Sequence, residues 1–207
     1  MDEQSFKPPR DARNPRICGP KIVREHPEIR TYAELGVLYG SSACAVAEAM
    51  EPGGDFHLFD FEDMLDRAKE RVQQAGLEDK HRWHFHGNSR RLKDSYNWSL
   101  LRLLEEPEPP VFDYVFLDGA HTYDVDGLAF FLVDLLMRKG SYLELDDYHW
   151  RLSKSPTMGP RRFPAMAEWY TREQLKTAHV AQIVRLLVEP SGRYEAVRKR
   201  RLYRRAA

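Results

Sequence analysis

The chain has 207 residues, 42% of them hydrophobic and 31% charged, enough to bury a core without disulfides or structural metal. Its formal net charge is +0, which argues against a surface devoted to nucleic acid. No apolar run approaches the ~20 residues of a membrane span, and two cysteines outside any CxxC spacing fit a reduced, cytoplasmic setting.

The charge is uneven along the chain. "RNPR" (13–16) and "RKRRLYRR" (198–205) are basic, and such clusters are usually solvated. Residues 1–30 are rich in Pro and Arg and read as an N-terminal arm or lid with one short helical piece. A domain is expected over 31–207.

Periodicity sharpens at Thr31. "TYAELGV" predicts a strand, and "SSACAVAEAM" a helix with Ala43, Val46, Ala47 and Met50 on one face. "FHLFDF" is a second strand. "EDMLDRAKERVQQAGL" is an amphipathic helix expected to turn Met64, Leu65, Ala68 and Val72 inward. "RWHFHG", "FDYVFLD" and "SYLELDDY" are three further strands. Between them lie helices over "WSLLRLLEE" and over "DGLAFFLVDLLMRKG", the latter expected to stop at Gly140. "AMAEWYTREQLKTA" predicts one more helix. "AQIVRLLVEP" and "RYEAVRKR" predict a closing hairpin around Ser191 and Gly192.

Strand and helix thus alternate five times before the hairpin. The expected fold is α/β: a Rossmann-like, mostly parallel, seven-stranded sheet with helices on both faces and a C-terminal antiparallel hairpin. In such sheets ligands bind beyond the carboxyl ends of the strands. The residues with chemistry fall at those ends. Gly36 and Gly40 punctuate the first strand-to-helix turn, and Ser41 and Ser42 open the helix, whose N-terminus favours anions. No lysine follows Gly40, which excludes a P-loop. Alone, the turn is an ordinary βα connection. Asp60 ends the second strand where an acid hydrogen-bonds ribose hydroxyls, and it also suits a helix N-cap. Asn88 and Ser89 close the third strand, as adenine partners or as a simple turn.

Asp118 ends the fourth strand, and Asp146 and Asp147 end the fifth. If those strands are neighbours, about 5 Å apart, three carboxylates converge. A divalent cation of the Mg²⁺, Mn²⁺ or Ca²⁺ kind resolves their repulsion; helix capping or pairing with arginine is the alternative. His121 lies three residues past Asp118, and a neutral imidazole there accepts a proton near neutral pH, unless it only supports an aspartate or touches a cofactor. Tyr123, Tyr148, His149 and Trp150 either wall an acceptor pocket or belong to the core.

Taken in order, "AELGVLYGSSACAVAEAM", "HLFDFED", "HGNS", "FDYVFLDGAHTY" and "KGSYLELDDY" resemble the motif set of class I S-adenosylmethionine-dependent methyltransferases. The set covers about residues 31–150 and is most similar to metal-dependent O-methyltransferases of the catechol and macrolide-sugar types. The resemblance implies that Glu34, Gly36 and Gly40 shape the methionine end of the cofactor, that Asp60 holds the ribose, and that Asn88 and Ser89 lie near the adenine. Ser41, Ser42 and Asp118 border the same cleft. It implies a cation, Mg²⁺ foremost, on Asp118, Asp146 and Asp147, and His121 as general base where the catechol type has lysine. The Asp-Asp pair departs from the Asn found second in the catechol type and the Glu found first in the sugar type.

The expected activity is methyl transfer to a hydroxyl of a small molecule or sugar. The alternatives are a metal-independent methyltransferase and a cofactor-binding or nucleic-acid-associated protein docking through the basic tail. No membrane partner is expected, and self-association stays open.

Overall fold

The computed structural model describes residues 17–207; the first half of the arm, "RNPR" included, lies outside the described residues. Helix α1 (Gly19–Glu25) precedes β1 (Thr31–Leu35). Then come α2 (Ser41–Ala49), β2 (Asp55–Phe61), α3 (Glu62–Gln74), β3 (Arg82–Asn88), α4 (Tyr96–Leu104), β4 (Phe112–Leu117), α5 (Tyr123–Leu135) and β5 (Met137–Leu145). Three short helices, α6 (Met166–Trp169), α7 (Arg172–Lys176) and α8 (His179–Ile183), lead to β6 (Tyr194–Arg198) and β7 (Leu202–Arg205).

The strands form one seven-stranded sheet in the order β3-β2-β1-β4-β5-β7-β6; the first five are parallel, and β7 runs antiparallel to both of its neighbours, β5 and β6. The expected fold class is borne out. β4 is buried along its whole length, as a central parallel strand with covered faces must be. Ala33, Leu35, Phe59, Val115, Leu117, Leu143 and Leu145 share one core with α4, α5 and α8. Tyr32, Phe56, Leu58, Tyr114 and Phe116 share the other with α1, α2 and α3. The strand order reverses between β1 and β4, which places the cleft above their carboxyl ends.

Three boundaries differ from the expectations. α5 stops at Leu135 instead of Gly140, because Arg205 arrives from β7 and its Nη1 donates to the carbonyls of Asp134, at 2.6 Å, and Met137. Gly140, at φ +94°, lies inside β5. The helix expected over 165–178 is two: Thr171 and Gln174 form a capping box that starts α7 afresh. "AQIVRLLVEP" is helical, not extended. Its β-branched composition suggests a strand, but Val180, Ile183, Val184 and Val188 are buried at helical spacing, and that periodicity wins. The closing hairpin is therefore β6–β7, its turn at Lys199–Arg201.

Candidate active site at the carboxyl rim

Leu35, Leu117 and Leu145 stand side by side as the last residues of β1, β4 and β5. The ladder continues for one more rung: the Asp118 amide donates to the Leu35 carbonyl (2.9 Å), and the Asp146 amide to the Leu117 carbonyl (3.2 Å). The two turns above β1 and β4 pass in backbone contact. A Cβ on Gly36, at φ +89°, would lie 2.2 Å from the Asp118 carbonyl oxygen, so only glycine fits.

Asp118 projects from this rung toward His121 and Asp147. His121 Nε2 lies 3.8 Å from Asp118 Oδ1 and 3.4 Å from Asp147 Oδ2, and one donor atom from each of the three falls within 4.8 Å of the others. Burial, then the charges of Asp146, Glu34 and Asp147, pushes the Asp118 carboxyl well above the usual carboxylate range. Burial likewise raises Asp147, with the Asp146 charge adding to it and His121 opposing. Beneath them Glu34 is almost fully buried, accepts from the Tyr32 hydroxyl (2.8 Å), and is raised by burial to about 8.

The backbone is strained here. Among the described residues four non-glycine residues have positive φ, and three of them, Leu38, His121 and Asp147, lie in the turns beyond the carboxyl ends of the strands. The His121 turn is over-determined by a residue the sequence did not single out. Asp126, buried in the first turn of α5, accepts from the His121 amide (2.7 Å), the Ala120 amide (3.3 Å) and the Tyr96 hydroxyl. Tyr96 in turn accepts from the Ala120 amide at 3.1 Å. Among the described residues His121 Nδ1 is buried without a hydrogen-bond partner, and the ring meets Trp150 at 5.1 Å between centroids. Of the four aromatics left open by the sequence, Trp150 thus stands at the site.

Asp146 is placed differently from its sequence expectation. Its carboxylate accepts from Arg201 Nη1 (2.7 Å), while Arg201 Nε donates to the fully buried Glu144 (2.7 Å). The cluster that could hold a cation is thus Asp118, His121 and Asp147, with Asp146 beside it but paired. Nothing local in "RKRRLYRR" marks Arg201 as the member that enters the core.

On the cofactor side, Asp60 Oδ2 accepts from the Val37 (2.8 Å) and Leu38 (2.7 Å) amides, and Oδ1 accepts from Phe61 (2.7 Å). It therefore pins the glycine turn and keeps acceptor capacity on Oδ1. Gly40, at φ +71°, caps α2, where Ser41 and Ser42 form the first turn, half-buried. Ser89 spends its amide and hydroxyl on Asp94 Oδ2 (2.7 and 2.6 Å). Asn88 is buried, and among the described residues its Oδ1 has no hydrogen-bond partner.

The rim thus brings a strained carboxylate-imidazole cluster beside a glycine turn and an acidic β2 end. The family model described as "Methyltransferase domain" matches residues 33–148. The chain belongs to this methyltransferase family. Solved structures share the fold of this methyltransferase. The O-methyltransferase TomG from Streptomyces achromogenes, in complex with SAM, is 22% identical over 74% of this chain and 67% of its own, with a TM-score of 0.50. The O-methyltransferase from Bacillus cereus, in complex with SAH, is 20% identical over 74% and 68%, with a TM-score of 0.52. The SAH-bound methyltransferase PaMTH1 from Podospora anserina is 15% identical over 91% and 75%, with a TM-score of 0.54. A search of curated protein sequences finds no match. Among the described residues of the methyltransferase, no helix is long and apolar enough to cross a membrane.

Proposed function

We propose that this methyltransferase moves a methyl group from S-adenosylmethionine to a hydroxyl oxygen of a small molecule or sugar, with a divalent cation held by Asp118 and Asp147. The observation that carries the reading is the Asp118–His121–Asp147 cluster at the rim next to the glycine turn. The SAM- and SAH-bound neighbours support the choice of cofactor. The residues fit that cofactor chemically. Asn88 Oδ1 offers an unspent acceptor to an adenine amine, and Asp60 Oδ1 offers one to a ribose hydroxyl. Glu34, Gly36, Gly40, Ser41 and Ser42 then border its methionine end.

The cluster also fits a divalent cation. Its carboxylates repel one another and are held above their ordinary range, a conflict that a cation removes. Two carboxylates suit Mg²⁺ and Mn²⁺, and an adjoining imidazole tips the set toward Mn²⁺. Such an ion supplies acidity to the acceptor hydroxyl.

The protein's own part is to position and to move a proton. His121 is fixed by the Asp126 carboxylate through its backbone, which leaves Nε2 facing Asp147 and the cleft. There Nε2 accepts the acceptor hydroxyl's proton as the oxygen attacks. Trp150 flanks the ring and limits its rotation. Holding oxygen, methyl carbon and sulfur in line supplies much of the remaining rate, with no covalent intermediate on the enzyme.

His121 as a ligand is the competing role, favoured by its place among the three donor atoms. Replacing His121 with alanine separates the two. As base, the variant loses about 100-fold or more in kcat while Mn²⁺ affinity by calorimetry stays within about threefold of wild type. As ligand, Mn²⁺ affinity itself falls by about tenfold or more. Full activity in the variant would remove both roles.

A further inference from the structure

The hairpin tip carries charge that no described residue neutralises. β7 pairs antiparallel with β5, Leu202 opposite Glu144, and the Leu145 amide donates to the Arg201 carbonyl (2.8 Å). The tip therefore rises past the carboxyl end of β5, next to the Asp146–Trp150 loop. Arg201 is consumed by Glu144 and Asp146. Lys199 and Arg200 are exposed, and among the described residues neither has a carboxylate within ion-pair distance.

Arg200 is also pre-positioned. Its φ is +66°, a conformation that a non-glycine residue holds only when its surroundings impose it. The brace is Tyr203, whose hydroxyl accepts from the Arg200 amide (3.1 Å) and donates to Glu189 (3.0 Å). The guanidinium lies over the Tyr148 ring at 5.3 Å, one residue beyond Asp147. A planar fork held over a ring and left without an acid partner is built to receive an oxyanion in two-point fashion. An acid-rich cluster close by would repel an anionic acceptor unless a cation stood at the rim to take the anion aside.

We propose that the methyl acceptor carries an oxyanion, a carboxylate or a phosphate, bound by Arg200 with Lys199 at the hairpin tip. This rests on the hydroxyl-methylation reading of the site and adds the acceptor's charge class to it.

Calorimetry on the full chain, loaded with S-adenosylhomocysteine and Mn²⁺, tests it with two matched pairs of probes. One pair is 3,4-dihydroxybenzoate against catechol, and the other is glucose 6-phosphate against glucose; which pair responds tells carboxylate from phosphate. The charged member of at least one pair is expected to bind ~10-fold or more tightly than its neutral partner. That margin should shrink as salt rises. The Lys199→Gln/Arg200→Asn variant should abolish the preference, because asparagine tolerates the left-handed backbone while removing the cation. Unchanged S-adenosylhomocysteine affinity in the variant certifies its fold. Equal binding within both pairs, undetectable binding of all four included, overturns the proposal, and so does a preference that survives the double substitution. A parallel assay with S-adenosylmethionine keeps the two ideas apart. Methyl transfer without charge preference sinks only the oxyanion site, whereas charge preference without transfer to any hydroxyl sinks only the activity.

Discussion

Two groups of histidine and acid sit on the same sheet and behave oppositely. On β2 and β3, His57, His84 and His86 stack at 4.3 and 5.3 Å, His57 Nδ1 meets His86 Nε2 at 3.1 Å, and His84 reaches Asp55 at 3.3 Å. These rings lie in regular strands, satisfied by their neighbours. Burial, then the neighbouring histidines, drives His57 down to about 3 and His86 to about 4, so both are neutral at pH 7. At the carboxyl rim, His121 sits on strained backbone, its Nδ1 has no hydrogen-bond partner among the described residues, and Asp118 is crowded by like charge. Burial of polar groups is common to both. Of these two groups, only the rim combines strained backbone with, among the described residues, an unpartnered buried ring nitrogen.

The largest expected effect sharpens this contrast within the rim itself. Arg201→Met leaves Glu144 and Asp146 without their cation, and should cost about 3–5 kcal/mol in denaturant titrations. A loss below about 1 kcal/mol would mean that the pairing is incidental. Asp118→Asn removes a repelled charge instead. It should lower methyl transfer by about 100-fold or more, with a melting temperature equal to or above wild type. A collapse of stability in that variant would place Asp118 with the structural groups and break the comparison.

Asp126→Asn weakens the brace under the His121 turn. We expect about 1–3 kcal/mol of destabilisation and a fall in kcat larger than any rise in KM. His57→Ala should cost about 1–3 kcal/mol, while activity per folded molecule stays within about twofold of wild type.

A pH slope is also expected. The unfolded chain binds protons on His57 and His86 below their ordinary value of 6.5, while the folded chain resists until about 3 and 4. Across that window the unfolded state holds more protons, so stability falls as pH drops, by ~1.4 kcal/mol per pH unit for each ring. His57→Phe should flatten the slope by one proton's worth. Glu34 works in the opposite sense. Raised from 4.5 to about 8, it holds a proton in the folded state that the unfolded state has lost, so its contribution is lost as pH rises through that range. Glu34→Gln should make stability flatter between those values, as read from melting temperatures across pH.

Much of this was legible in the chain. The apolar run 114–117 stopping at Asp118, the glycine turn at 36–40 and the acid at Asp60 fixed the strand ends, because period and turn chemistry act within a few residues. Local signals also misled. The β-branched run before Ser191 looked extended, and the capping box at Thr171 passed unread inside a longer helical pattern. The role of Asp126 was invisible, since an acid in a helix's first turn is ordinary and its partner Tyr96 lies 30 residues away.

By itself, then, the sequence determined the alternation of elements, the family, and which residues stand at the strand ends, all of which depend on short-range periodicity and turn geometry. Only the tertiary structure decided how the rim's charges are shared. It brought Arg201 from the last hairpin to Asp146 and Glu144, drew His121 between Asp118 and Asp147, and set Arg200 over Tyr148 at the tip. Electrostatic partnership depends on distance through space, and the antiparallel return of β7 along β5 sets that distance.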